Sequence, residues 1–60
     1  MRMVRWKVSG PLGVIYTDPF DMDNLVDGKE PLEVSTQRRE AALAVSNANT
    51  IEVSFHLESA

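Results

Sequence analysis

From Ile51 to Glu58 apolar and polar residues alternate without a break, Ile51, Val53, Phe55 and Leu57 interleaving with Glu52, Ser54, His56 and Glu58. Successive side chains of an extended chain point to opposite faces. The pattern therefore specifies one dry and one wet face and predicts a strand over 51–58. Residues 2–9 repeat the period, with Val4, Trp6 and Val8 set against Met3, Arg5, Lys7 and Ser9, and predict another strand. Gly10-Pro11-Leu12-Gly13 follows as a type I turn, in which the proline ring presets φ and the glycine tolerates the exit geometry. Residues 13–17 form a further strand, giving an antiparallel hairpin, and their period leaves open which of Val14, Ile15 and Tyr16 joins the core.

Residues 18–34 read as an acidic connection. The stretch forms either one or two helical turns, with Asp18 as cap, Pro19 at the first position and Asp27-Gly28 as the stop, or an irregular loop, and Leu32-Glu33-Val34 is extended. A helix is predicted over 36–47, capped by Ser35 or Thr36 and stopped at Asn47 or Asn49. At 100° per residue Ala41, Ala44, Val45 and Ala48 share its inner face, and Leu43 falls opposite, where Phe20 or Leu25 is expected to cover it.

Assembled, these elements give an α+β fold of ββαβ layout: a three-stranded antiparallel or mixed sheet in the order 2-1-3, packed on one face by a single α-helix. The expected core is Val4, Trp6, Val8, Ile51, Val53, Phe55 and Leu57 under Ala41, Ala44 and Val45. Sixty residues make one small domain, 1–60, with room for a thin core and none for a large enclosed active site. The chain has no cysteine and one histidine, which removes disulfides and structural zinc as staples and leaves self-association or docking onto a larger partner on one side and an unaided monomer on the other. Its longest apolar run, Ala41 to Val45, is far below the roughly 20 residues of a spanning helix, and no apolar stretch follows the basic N-terminal residues. The expectation is a soluble, cytoplasmic protein with no membrane contact.

Asp18 to Glu33 holds Asp18, Asp21, Asp23, Asp27, Glu30 and Glu33 against Lys29 alone, so the remainder of the chain is net positive while the whole carries −3. Such segregation suits a docking loop for a partner with a basic surface, with Asp21, Asp23 and Asp27 as contact residues. A merely solvated loop is the simpler reading of the same charges, since charged side chains are mostly exposed. Neither register of a twelve-residue calcium loop fits: starting at Asp21 puts Leu25 and Val26 at positions 5 and 6, and starting at Asp23 puts Leu25 at position 3. A serine–histidine–acid arrangement would have to use His56, which stands on the wet face of a small open sheet. Gly10 and Gly13 belong to a hairpin, with neither the lysine nor the following helix of a phosphate loop. The expectation is no catalysis, no cofactor and no metal.

Arg5 and Lys7 on the wet face beside His56 offer a nucleic-acid surface as the alternative function. Trp6 lies on the other face, Glu52 and Glu58 share the wet one, and the net charge repels a phosphate backbone. Arg38 and Arg39 open the predicted helix, at the end where positive charge is unfavourable, so Arg39 with Leu43 reads as an interface nucleus. The strand 51–58 has neither proline nor lysine to blunt its outer edge, and Glu52, Ser54 and His56 line a face that a second strand could extend. That gives a homodimer through this edge, or a homo-oligomeric structural subunit, as a further alternative, with a proline at Ser54 expected to dissociate it. The function that collects most of these features is a non-catalytic protein-binding module, a small modulator or inhibitor of a larger intracellular protein. The order hairpin, helix, closing strand is similar in outline to small bacteriophage-encoded proteins that bind and inhibit host enzymes such as RNA polymerase. That similarity covers element order and carries over no site residue.

Overall fold

The computed structural model describes residues 1–47 and 52–60. Strand β1 (Met3–Gly10) is central; β2 (Gly13–Tyr16), β3 (Phe20–Asp21), helix α1 (Leu32–Val45) and β4 (Ser54–Ser59) follow, with a 3₁₀ turn over Met22–Asn24. All three strand pairings to β1 are antiparallel. Val4 is opposite both Phe20 and Ser59, and Lys7 is opposite both Tyr16 and His56, so β2 and β3 share one edge of β1 and β4 takes the other. The α+β layout and the placement of the first strand between the second and the last are as the sequence predicts.

Thr17 joins β2 to β3. Its N–H donates to the Trp6 carbonyl at 3.0 Å, and its Oγ1 accepts the Trp6 N–H at 3.0 Å. A side chain thus replaces a backbone acceptor where the edge strand changes course, which explains why a threonine is buried.

Helix α1 begins four residues earlier than predicted. Pro31 occupies the N-cap position with no side-chain cap, and its carbonyl receives the N–H groups of Val34 and Ser35. Ser35 and Thr36 are not caps: Ser35 Oγ donates to Glu30 and Thr36 Oγ1 back-bonds to the Leu32 carbonyl. The inner face is Val34, Ala41 and Val45, whereas Ala44 is exposed. The true start is hidden from the apolar period because the two largest apolar residues of the helix, Leu32 at 80% and Leu43 at 72% exposure, point outward and blur it. Leu43 is accordingly not covered by Phe20 or Leu25. The helix ends at Val45, and Ser46 is extended; Ala48, Asn49 and Ile51 lie outside the described residues. Strand β4 is likewise shorter than 51–58, with Glu52 and Val53 preceding it.

The connection is ordered by its own acids. Asp21, not Asp18, caps a turn: its Oδ1 accepts from Asp23 N and from Arg2 N, both at 3.0 Å. Asp18 instead exchanges two hydrogen bonds with the Gln37 amide at 2.8 and 2.9 Å. Asp27 (φ 53°) and Gly28 (φ 69°) make a tight turn that bridges Val26 to Lys29, and both positive φ values explain the Asp-Gly pair.

Buried side chains form two clusters. Val4, Phe20 and Val34 make one, with Met22 and Leu25 against it; Val8, Ala41 and Val45 make the other, with Ala42 and Val53. Trp6 packs on both. The helix touches the sheet closely at Gly10, where an added Cβ would run into the Val45 carbonyl oxygen and stand 2.8 Å from Val45 Cγ2. Leu12 N donates to that same carbonyl at 3.0 Å, fastening the hairpin to the end of the helix.

Candidate functional site

The helix packs chiefly on β1 and β2, so the sheet is unevenly roofed. On β4 the alternation survives as expected: Phe55 and Leu57 lie opposite Val8 and Trp6 on the helix side, and Ser54, His56 and Glu58 lie opposite Ser9, Lys7 and Arg5 on the open side. Yet Phe55 and Leu57 remain 40% and 41% exposed. Phe55 meets Trp6 edge to face at 6.3 Å, and a shallow groove beside it is lined by Arg39, Ala42, Leu43, Ser46 and Val53. Leu57 borders a second groove formed with Trp6, Phe20, Leu25 and Glu30.

The hydrogen-bond register tells which backbone groups are free. Ala60 N donates to Met3 O at 3.0 Å, so the alternate pairs Arg5–Glu58, Lys7–His56 and Ser9–Ser54 are the ones that exchange ladder bonds with β1. The backbone groups of Phe55, Leu57 and Ser59 therefore point away from β1, along an edge that none of the described strands covers. This corrects one expectation. A proline at Ser54 would break the β1 ladder rather than the outer edge.

Between helix and sheet lies a carboxylate hub. Glu30 Oε2 accepts from Trp6 Nε1 at 2.6 Å, while Oε1 accepts from Ser35 Oγ at 3.1 Å and from Arg38 Nε and Nη2 at 3.1 and 2.7 Å. The side chain is 14% exposed. Burial pushes its pKa up, but the hydrogen bonds from Arg38, Trp6 and Ser35 outweigh that and hold it below the ordinary glutamate value. The Arg38 guanidinium lies over the Trp6 and Phe55 rings at 5.2 and 5.6 Å. Because the helix starts at Leu32, Arg38 sits well inside it rather than in its first turn, and the conflict with the helix dipole disappears. Glu30 was legible only as one acid among six; Pro31 after it, starting a helix that returns Ser35 and Arg38 to its carboxylate, was the available signal.

The structure separates the other residues singled out in the sequence. Asp21 is occupied by Arg2 N and Asp23 N, which hold its carboxyl below the ordinary aspartate value. Asp23 is 3.8 Å from both the Met1 amine and Arg2 Nε, while Asp27 is exposed at the tip of its turn. Arg39 and Leu43 come together beside Phe55. Glu52 is exposed ahead of β4, and Ser54 and His56 are exposed on the open face. There Glu58 lies 3.8 Å from Arg5 and 3.9 Å from Lys7, and Arg5 stacks over Tyr16 at 4.2 Å. Tyr16 on that face was not foreseen, since its strand was too short to show a period.

Among the described residues no cluster of His, Asp and Glu is arranged to hold a metal ion, and no helix is long and apolar enough to cross a membrane. No family model, no curated protein and no solved structure matches the chain.

Proposed function

We propose that the chain is a non-catalytic protein-binding module, a small modulator of a larger protein, and that it docks through the outer edge of β4 and the apolar strip beside it. The observation that carries this reading is the off-centre helix, which leaves Phe55 and Leu57 half-exposed next to outward-facing backbone groups. An added strand would gain main-chain hydrogen bonds from that edge, and its alternate side chains would reach the grooves beside Phe55 and Leu57. Arg39 and Leu43 extend the same strip onto the helix, supplying a charged and an apolar anchor. The acidic segment contributes less than its charge suggests, because Asp18, Asp21 and Glu30 hold the connection in place.

The test immobilises the protein and its Leu57→Lys and Asp27→Asn variants against a lysate of source cells and identifies what each retains. A protein held by the parent and by Asp27→Asn but lost with Leu57→Lys supports the reading. Retention indifferent to Leu57→Lys overturns it. A nucleic-acid surface draws on Arg5, Lys7, Tyr16 and His56 sharing the open face, but Glu58 between the two cations and the net charge of −3 weigh against it. Oligonucleotide binding that falls steeply with salt and vanishes on charge reversal of Arg5 and Lys7 would replace the proposal.

A further inference from the structure

We infer that the strand accepted by β4 is β4 of a second copy of this chain, antiparallel to the first about a two-fold axis at His56. The inference rests on the reading of β4 as the docking edge and names its occupant.

Register parity on β4 favours a second copy. Only Phe55, Leu57 and Ser59 turn their backbone groups outward on β4, so a symmetric antiparallel pair has to bond odd-numbered residues to odd-numbered ones. Centring the axis on His56 makes Phe55 of each copy exchange bonds with Leu57 of the other. Those side chains lie on the helix side, where each is half-exposed, so each finds an apolar partner directly across the new ladder. On the open side Ser54 falls opposite Glu58, and His56 meets its own copy.

Charge on β4 favours the same pairing. Strand β4 carries neither lysine nor arginine, and its one carboxylate, Glu58, already faces Arg5 and Lys7 of its own sheet. Two copies therefore meet here with no carboxylate directly opposite another, although each chain carries −3 overall. The product is a continuous sheet of twice the width with both helices on the same side. It adds buried surface to a small core, where other domains of this size are stapled by a disulfide or a metal.

Sedimentation equilibrium from low micromolar to millimolar protein, with residue-resolved amide exchange on the same samples, tests this. The expected result is a monomer–dimer equilibrium in which the amides of Phe55 and Leu57 become protected as concentration rises, while those of His56 and Glu58 are protected throughout. Leu57→Lys, which places a charge beside the edge, is expected to remain monomeric with an unchanged circular dichroism spectrum. The exchange pattern of the parent protein decides the matter even if that variant does not fold. A monomer at every concentration overturns the inference, as does a dimer whose Phe55 and Leu57 amides exchange freely. A monomer that still retains a foreign protein in a Leu57-sensitive manner removes the second copy and leaves the docking edge standing; a monomer that retains nothing so removes both.

Discussion

Glu30 shows how much one side chain holds together here. Its carboxylate accepts from the sheet through Trp6 and from the helix through Ser35 and Arg38, so removing it leaves three side chains without this partner. Glu30→Ala is expected to cost about 2 kcal/mol, read as a lowered midpoint in urea, the usual penalty for stranding partly buried polar and charged groups. The linkage has a definite sign. Because its folded pKa lies below the ordinary value, Glu30 contributes stability that is fully present above the unfolded carboxylate pKa and is lost as pH falls through the folded one. Denaturant midpoints measured across that acidic window should decline, and Glu30→Gln should flatten the decline. Thr17→Val, nearly isosteric, deprives the Trp6 N–H of its acceptor and is expected to cost about 1–3 kcal/mol in the same assay. Neither role was legible in the sequence. A hydroxyl standing in for a carbonyl depends on where the edge strand turns, and a carboxylate shared by two elements depends on how they cross.

Among the elements, the strands were the readable part, since a period of two survives even where burial is incomplete. The helix was harder. Its inner face carries small residues and Arg38, while Leu32 and Leu43 stand outside, so the spacing gives Ala41 and Val45 as inward and Leu43 as outward but misses the first turn and the inward Val34. The contact between α1 and β1 has a sharp consequence. Gly10 lies against the Val45 carbonyl, which Leu12 N also engages. Gly10→Ala would force the helix end away from the hairpin, at about 1–3 kcal/mol, the usual range for overpacking. Thermal unfolding would show it as a lower midpoint, and exchange of the Leu12 amide as a local loss of protection. The candidate edge was legible as an unblunted strand, but its half-covered apolar side chains were not, because they follow from the helix sitting over β1 and β2.

At the scale of the whole molecule, stability is small and divided. Among the described residues six apolar side chains are buried, in two clusters, and domains of this kind hold only about 5–15 kcal/mol in all. Each substitution above therefore removes a large fraction of the total, and combining Glu30→Ala with Gly10→Ala is expected to leave a chain without a cooperative unfolding transition near room temperature. The layer order could be read from the sequence because it needs only element types and their sequence; the division of the core could not, because it depends on Phe20 and Val34 meeting from opposite ends of the acidic connection. The indole that spans that division is the single tryptophan of the chain, hydrogen-bonded to a carboxylate at one end and stacked near a guanidinium. Its fluorescence is thus a built-in gauge: quenching and emission wavelength should register the joining of the two halves as one optical event, with no label attached.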